Sequence, residues 1–299
     1  MRLPVTGELN DHAWEELLSA CQPCISGEDK TLKLDFSSVG WSSPSGLVPL
    51  AALLNVIRSK GVEVVVTHYP PQDICSYYCR MDFLECIGAE TPCQRNRNSG
   101  AGRFIEISEL HNSEIHADII EQLSALLEAV SEANDISKRS FIDACGELVS
   151  NTRHAYDRKV DPRITERSGA LIQAQYYPRE SQVEFCICDT GVGIKASLEA
   201  TDTAGYSSHA EAITAALARG NRNQEQTGAG LGLAALASYI RKNGGSLSIR
   251  TGDARKVLER ESVSAKEKPK TWPGTIITLR LNVKSDTNLS KSWERMARS

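Results

Sequence analysis

Over the first 90 positions the apolar spacing changes from about two residues to about 3.6 and back, which predicts a small α/β unit. Residues 31–36 alternate apolar and polar side chains, as a half-buried strand does. Residues 47–57 have apolar side chains at helical spacing, and residues 62–67 are apolar and β-branched. A strand, a helix and a strand in this order predict a parallel βαβ crossover. Two further helices and a loop are predicted at 13–18, 73–88 and 37–45.

A second set of elements begins at Phe104 and mixes strands with longer helices. Residues 116–130 and 137–155 each place apolar residues on one helical stripe. Residues 171–177 and 183–188 alternate as strands on either side of turn residues, which predicts a hairpin. The remaining predictions are strands at 104–107, 246–250 and 275–283, helices at 212–218 and 233–243, and a mixed-charge, solvated excursion at 252–273.

This order of elements predicts an α/β fold in two domains. Residues 91–103 are polar and without periodicity, which favours a linker over a long loop inside one domain. The predicted division is an N-terminal domain at 1–90, a linker at 91–103, a C-terminal domain at 104–285 and a tail at 286–299.

Composition and charge disfavour several classes of protein. The 299 residues are 40% hydrophobic and 24% charged, which suits a globular chain with a core. The formal net charge of −4 does not indicate nucleic-acid binding. No apolar run approaches the roughly 18 residues of a membrane helix, and the first residues do not resemble a signal peptide. We therefore expect no membrane contact and a cytoplasmic location.

Nine cysteines raise the question of disulfides or metal binding. Their odd number, without a secretion signal, favours reduced thiols that act as small core residues. Cys21 and Cys24 have the two-residue gap of a zinc knuckle, so a zinc site is the alternative. A second pair with that gap is missing, since three residues separate Cys75 from Cys79.

Three segments contain candidate functional residues, and the first is a polar stripe on the helix predicted at 137–155. Offsets of four and seven residues bring Glu147, Asn151 and His154 to one side, because a helical turn takes about 3.6 residues. Leu148 turns away from that side. Taken alone, the stripe fits a half-exposed helix equally well.

The second segment follows the strand predicted at 183–188. Asp189 stands where the strand ends, and Gly191 and Gly193 then permit a tight backbone path close to a ligand. A carboxylate there can accept a hydrogen bond from an exocyclic amine such as that of adenine. An ordinary Asp-Gly turn is the simpler interpretation of this segment by itself.

The third segment is glycine-rich and leads into the helix predicted at 233–243. Free backbone N–H groups and a helix N-terminus together make an anion site. The segment lacks the strand order of a Rossmann motif, and no Gly-Lys-Ser/Thr of a Walker loop follows. Its residues are Thr227, Gly228, Ala229, Gly230, Leu231 and Gly232.

In this order and at this spacing, the three segments resemble the N, G1 and G2 boxes of the GHKL ATPases. That superfamily includes gyrase B, heat-shock chaperones, histidine kinases and MutL. The resemblance covers about residues 104–285, and Trp272-Pro-Gly-Thr275 looks like the final box. Glu147-x-x-x-Asn151 followed by His154-Ala-Tyr156 is most similar to the anti-sigma-factor serine kinases. The resemblance implies a Bergerat-type α/β sandwich: helices cover one face of a mixed, mostly antiparallel sheet, and ATP lies between the helices and a lid.

The resemblance also implies a role for each site residue. Asn151 would coordinate the Mg²⁺ that bridges the phosphates, and Glu147 would position or deprotonate the attacking water. Asp189 would bind the adenine amine, with help from Thr275. The glycines have the remaining roles: Gly191 and Gly193 would shape the purine pocket, and the loop of Thr227, Gly228, Gly230, Leu231 and Gly232 would hold the phosphates with backbone amides.

His154 and the arginines of residues 195–226 each have two possible roles. His154 either faces the phosphate end or is a structural residue of the helix. Residues 195–226 correspond in position to the family's ATP lid. Arg219 or Arg222 in that segment would reach the γ-phosphate or would stay a solvated loop residue.

Residues 1–90 resemble a STAS domain, the fold of anti-sigma-factor antagonists. The similarity lies in residues 34–39, in Ser43-Pro-Ser45-Gly-Leu and in residues 78–84. Ser45 occupies the position of the antagonists' phospho-acceptor, but the Asp usual two residues earlier is Ser43 here. The alternative role for Ser45 is to cap the following helix.

Together these resemblances predict an ATP-binding regulatory protein. Binding of ATP and Mg²⁺, with slow hydrolysis, would switch a protein interface. The alternative is a serine/threonine protein kinase that acts on its own or a partner's STAS domain. The partner would be a protein bound through the STAS-like domain or the lid, or a second copy in a homodimer. A sensor histidine kinase is disfavoured, because neither His111 nor His116 has the neighbours of a phospho-acceptor box.

Overall fold

The chain folds around two sheets, one parallel and one antiparallel. The α/β class predicted from the sequence is confirmed, whereas the domain boundaries stay predictions. The computed structural model describes residues 1–93, 102–111, 113–128, 135–156, 169–200, 205–218, 231–260 and 262–282. Most of the predicted linker and all of the predicted tail from 286 lie outside those ranges.

The N-terminal residues form a three-stranded parallel sheet in the order β1-β2-β3, flanked by helices. The helix α3 connects β2 to its parallel neighbour β3, so the predicted βαβ unit is confirmed. The elements are β1 (Arg2–Leu9), α1 (Ala13–Ala20), α2 (Gln22–Ser26), β2 (Thr31–Ser42), α3 (Pro44–Ser59), β3 (Glu63–His68), α4 (Gln72–Arg80) and α5 (Phe83–Cys86).

Two predictions in this part were wrong. The loop predicted at 37–45 is strand through Ser42, because pairing with β1 continues across two register shifts to the end of both strands. The single helix predicted at 73–88 is two helices. Asp82 between them has φ 57°, a left-handed conformation that an α-helix does not accommodate.

The remaining described residues form a five-stranded sheet in the order β4-β5-β6-β8-β7, with helices. The mixed sheet that the resemblance implied was wrong for these residues, because every pairing in this sheet is antiparallel. Among these residues, and among the N-terminal ones, no helix is both long enough and apolar enough to cross a membrane. The elements are β4 (Phe104–Leu110), α6 (Ser113–Glu128), α7 (Asp135–Asn151), α8 (Arg153–Tyr156), β5 (Ala170–Tyr177), β6 (Gln182–Asp189), α9 (Gly193–Glu199), α10 (His209–Ala218), α11 (Leu231–Asn243), β7 (Ser246–Glu259) and β8 (Val263–Asn282).

The prediction for residues 252–273 was wrong. These residues were expected to be a solvated excursion, but β7 and β8 extend through them as a hairpin that pairs Leu258 with Val263. Ala254 and Leu258 are buried, so apolar residues hidden among the charges anchor the hairpin. The motif that ends in Thr275 therefore lies inside β8 and does not open that strand.

Successive strand residues point to opposite faces of a sheet. Both faces of the antiparallel sheet are covered. One face packs against α6, α7 and α11, and its central residues are Ile172, Phe185, Ile187, Ile277 and Leu279. The other face packs against the N-terminal residues, chiefly α3, through Leu171, Cys186, Cys188, Trp272 and Ile276. The two sheets therefore share one hydrophobic cluster across the second face.

A buried polar network also crosses this second face. The Arg280 guanidinium donates from Nε to Glu184 Oε2 at 2.9 Å and from Nη2 to Ser45 Oγ at 3.1 Å. Glu184 Oε1 accepts the backbone N–H of Ser45 at 2.9 Å. Beside them, Arg255 pairs with Asp11 at 2.9 Å. The N-terminal residues are thus held to the sheet by ion pairs as well as by apolar packing.

Ser45 does not cap α3, so that interpretation was wrong. It is the second residue of the helix, which begins at Pro44, and its hydroxyl lies against Ser43 Oγ and Arg280. Its N–H would be one of the unsatisfied donors of a helix N-terminus. Glu184, from the antiparallel sheet, satisfies that donor.

The cysteines act mainly as core residues, as predicted. All nine are free thiols, and Cys21, Cys24, Cys145, Cys186 and Cys188 are fully buried. Burial raises the pKa of Cys21 to about 12, so its thiol is neutral.

Candidate functional site

The candidate site begins at Asp189, the last residue of β6. Phe185 and Ile187 point from the same strand into the core beneath the helices. Residues two apart share one face of a strand. Asp189 therefore lies on the helix-covered face, away from the N-terminal residues.

Hydrogen bonds fix the carboxylate of Asp189. Oδ1 accepts the backbone N–H of Gly191 at 2.9 Å, and the backbone and hydroxyl of Thr275 also bond to the carboxylate. Burial raises the pKa of Asp189 to about 6, against the lowering effect of these hydrogen bonds. At neutral pH the group is thus an ionised, half-buried acceptor, which suits it to one well-placed donor on a ligand.

The backbone around Asp189 is packed tightly by the hairpin of β7 and β8. A Cβ on Gly274 would lie 2.2 Å from the backbone oxygen of Asp189. The same oxygen accepts the indole N–H of Trp272 at 2.9 Å. Thr251 Oγ1 donates to the Gly274 oxygen at 2.9 Å and accepts the N–H of Ile194 at 3.1 Å. Sequence reasoning missed Thr251, since it lies in a stretch without a motif.

We expect Gly274→Ala to destabilise the chain by about 1–3 kcal/mol, because the new methyl group forces β6 and β8 apart at Asp189. Urea unfolding measures the change. Gly205→Ala is the matched control, since a Cβ at Gly205 meets nothing within 4 Å. Equal stabilities for the two variants would contradict the close approach described here.

The loop after Asp189 connects the sheet to the predicted polar stripe. A Cβ on Gly191 would lie 2.8 Å from Cα and Cβ of Ala155, which belongs to α8. Gly193, with φ +76°, begins α9 and lies against Thr251. The predicted second segment therefore touches α8, the short helix that carries His154 of the first segment.

The prediction of a single helix over 137–155 was wrong. Thr152, which donates from its N–H and its hydroxyl to the Val149 oxygen, separates α7 from α8. His154 therefore does not share a helix with Glu147 and Asn151.

Glu147 links the first segment to the third. A Cβ on Gly232, in the first turn of α11, would lie 2.8 Å from Cδ and 2.9 Å from Oε2 of Glu147. Asn151 is exposed at the end of α7, one turn beyond Glu147. The start of α11 and the polar stripe of α7 are thus adjacent, so parts of all three predicted segments come together.

Some predicted site residues cannot be placed. Thr227, Gly228 and Gly230 of the glycine-rich segment lie outside the described residues, as do Arg219 and Arg222. Leu231 is the first residue of α11, and His154 lies in α8. The side chains of these two residues lie outside the described part.

Two helices occupy the described part of the segment between the second and third boxes. The helix predicted at 212–218 is confirmed and begins earlier, at His209, and α9 was not predicted. Ser208 Oγ accepts the N–H of Glu211 at 3.1 Å, and Glu211 Oε2 accepts the N–H of Ser207 at 2.7 Å. Ser208 thus caps the helix as in a capping box, while Glu211 accepts from the residue before the cap, and together these bonds explain the earlier start.

Comparison with known proteins adds no relative. No protein-family model matches this sequence, and no curated protein matches it either.

The described residues supply three kinds of group. Asp189 is a half-buried acceptor that is ionised at neutral pH. Glu147 is a second carboxylate beside the first turn of α11, and Asn151 is an exposed amide one turn away. Binding and hydrolysis of a nucleotide can use all three: an acceptor for an amine, a carboxylate for a water and an oxygen ligand for a cation.

Proposed function

We propose that the chain is an ATP-binding regulatory protein of the GHKL type, joined to a STAS-like N-terminal domain. Binding of ATP and Mg²⁺ beside Asp189, with slow hydrolysis, would change how the chain contacts its partners. The proposal rests chiefly on one observation, the carboxylate of Asp189 held by Gly191 and Thr275 at the end of β6.

The surroundings of Asp189 suit an adenine base. The exocyclic amine of adenine is a donor, and an ionised carboxylate is the strongest acceptor that a side chain offers. Water competes poorly at a desolvated group, so a single hydrogen bond there discriminates well between bases. A base with a carbonyl at that position would face the carboxylate with a second acceptor and would be rejected.

Glu147 and Asn151 suit the phosphate end. Free N–H groups in the first turn of a helix favour an anion, and Glu147 lies beside the first turn of α11. Asn151 would offer an oxygen ligand to Mg²⁺, a cation that prefers such ligands. Bound Mg²⁺ neutralises phosphate charge, and Glu147 would orient the attacking water.

The regulatory part of the proposal rests on two strands that serve both faces of the sheet. Asp189 and Glu184 belong to β6, and Thr275 and Arg280 belong to β8. Glu184 and Arg280 hold the N-terminal residues, whereas Asp189 and Thr275 form the candidate site. A ligand that shifts these strands at one face therefore also strains the contacts at the other.

A kinase that acts on its own STAS-like domain depends on Ser45. This serine is 1% exposed and lies on the sheet face opposite Asp189, bonded to Arg280. Phosphorylation of Ser45 within one chain requires the two faces to separate first. This observation favours the regulatory ATPase over a kinase that acts on its own serine.

Glu147→Ala is expected to keep ATP bound and to lower hydrolysis at least ~100-fold, because the water loses its carboxylate while Asp189 is unchanged. The chain is incubated with γ-labelled ATP and Mg²⁺, and protein-bound ATP, free phosphate and protein-bound phosphate are then separated. Glu114→Ala, which removes an exposed glutamate on α6, is the matched control.

The position of the label separates the hypotheses. Free phosphate from the wild-type chain supports an ATPase. Label that stays covalently on the protein would replace the ATPase by the kinase alternative. A wild-type chain that neither binds nor turns over ATP would refute both.

A further inference from the structure

Three cysteines outside the candidate nucleotide site form a compact cluster. Cys75 and Cys79 are one turn apart on α4, and Cys93 follows α5. Their three sulfur atoms lie within 4.8 Å of one another, and the Cys93 thiol donates to Cys75 Sγ at 3.5 Å. Among the described residues, this is the one group of at least three His, Cys, Asp or Glu side chains whose ligand atoms converge in this way.

The spacing of the sulfur atoms matches a thiolate metal site. Zinc–sulfur bonds are about 2.3 Å long, so ligands in a tetrahedron around zinc are roughly 3.8 Å apart. In the cluster, Cys75 Sγ and Cys93 Sγ are 3.5 Å apart, and no two of the three sulfur atoms are more than 4.8 Å apart. A disulfide, in contrast, needs the two sulfur atoms within about 2.05 Å.

We propose that Cys75, Cys79 and Cys93 bind one Zn²⁺ ion as three thiolates. Three thiols release three protons when they bind the ion, which leaves the site with a net charge of −1. Cys93 is partly exposed, whereas Cys75 and Cys79 are buried. The ion therefore has a route from solvent, and a water molecule can complete the tetrahedron from the side of Cys93.

The position of the cluster indicates what the ion does. Helix α4 also carries Arg80, whose guanidinium lies over the ring of Phe104 and pairs with Glu106 of β4. Cys93 is the last described residue before Gly102. An ion shared by α4 and Cys93 would therefore fix the chain to the helix that contacts the antiparallel sheet. Because the ion binds the folded cluster only, its binding free energy would add to the stability of this junction.

The test uses the full chain, stripped with a chelator under a reductant that does not bind metal and then supplied with Zn²⁺. We expect about one zinc per wild-type chain after desalting, measured by elemental mass spectrometry. Cys93→Ser is expected to bind zinc at least ~100-fold more weakly, because one of three thiolates is lost. Cys86→Ser is the matched control, since it removes a half-buried cysteine of α5 outside the cluster.

Cobalt provides a readout that needs no variant. Co²⁺ in the wild-type chain should show thiolate-to-metal charge-transfer absorption and the intense visible bands of a tetrahedral ion. Circular dichroism shows whether Cys93→Ser is folded, and the cobalt spectrum still decides the ligand type if it is not.

Four outcomes would overturn the proposal. The first is a wild-type chain without zinc, and the second is a cobalt spectrum without thiolate bands. The third is equal zinc affinity in Cys93→Ser and the wild type. The fourth is zinc that is lost in Cys24→Ser but kept in Cys93→Ser. The last result would move the metal to the Cys21 and Cys24 pair. A zinc-free chain that readily forms a Cys75–Cys93 disulfide would make the cluster a redox pair instead.

Discussion

Asp189→Asn is expected to abolish ATP binding while leaving the chain folded at neutral pH. The amide that replaces the carboxylate accepts through one atom, and its NH2 group meets the adenine amine with a second donor. Loss of a hydrogen bond to a charged acceptor, together with this mismatch, should weaken affinity by about 100-fold or more. Titration of the full chain with a fluorescent ATP analogue and Mg²⁺ measures the change.

The stability of this variant follows from the pKa of Asp189. Burial raises that pKa from 3.8 to about 6 in the folded chain, so ionisation is costlier there than in the unfolded chain. The penalty is absent below the unfolded value, grows as the pH rises between the two values and is complete above the folded one. Asp189→Asn removes this pH-dependent penalty, so we expect its stability relative to the wild type to be about 1–2 kcal/mol more favourable near pH 8 than near pH 4.

Urea unfolding at several pH values tests this second expectation. Asp118→Asn, an exposed substitution on α6, is the control and should match the wild type at each pH. An Asp189→Asn chain that binds ATP as the wild type does would remove the adenine assignment. A pH-independent loss of stability would show that the carboxylate contributes structure rather than recognition.

Arg280→Met is expected to cost about 2–4 kcal/mol of unfolding free energy, because Glu184 is left buried without its cation. Glu184 is 3% exposed, and its remaining described donor is the N–H of Ser45. Adding Glu184→Gln should recover much of the loss, since a neutral amide still accepts that N–H. Urea unfolding of both single variants and the double variant gives the coupling energy.

Cysteine labelling shows where the structure opens. Cys186 faces the N-terminal residues and Cys145 lies in the core beneath the helices, and both are fully buried. In Arg280→Met, a maleimide should reach Cys186 well before Cys145 if the two sheets separate while the rest stays folded. Equal labelling rates would indicate global unfolding. Arg179→Met, at an exposed turn, is the control and should leave both rates unchanged.

Local periodicity predicted the secondary elements that bury one stripe or one face. The helix α6 and the hairpin of β5 and β6 follow from such patterns, because each contrasts buried with exposed positions. The pattern failed at 252–273, because the many charged residues there hide the apolar spacing of Ala254 and Leu258. Both residues are buried in β7, which pairs with β8 along this segment. The pattern also failed at Asp82, since a left-handed residue other than glycine leaves no signal in the apolar spacing.

The candidate site was predictable as motifs but not as contacts. Motif spacing selected Asp189 and Glu147, while Thr251 was invisible because its role depends on pairing with Thr275 across β7 and β8. The same limit applies to Ser45 and Glu184, which are 139 residues apart in sequence. Such pairs arise from tertiary packing, and no local pattern encodes which distant partner a buried serine meets.

A fragment that contains the sheet with Asp189 but lacks the N-terminal residues is not expected to fold as an independent unit. A shortened chain beginning at Gly102 would expose Cys186, Cys188, Trp272 and Ile276 to water, together with the carboxylate of Glu184. A contiguous apolar surface of this kind promotes self-association. Such a fragment is expected to aggregate or fold poorly, so the proposed ATP binding and hydrolysis are to be tested on a chain that retains its first 93 residues.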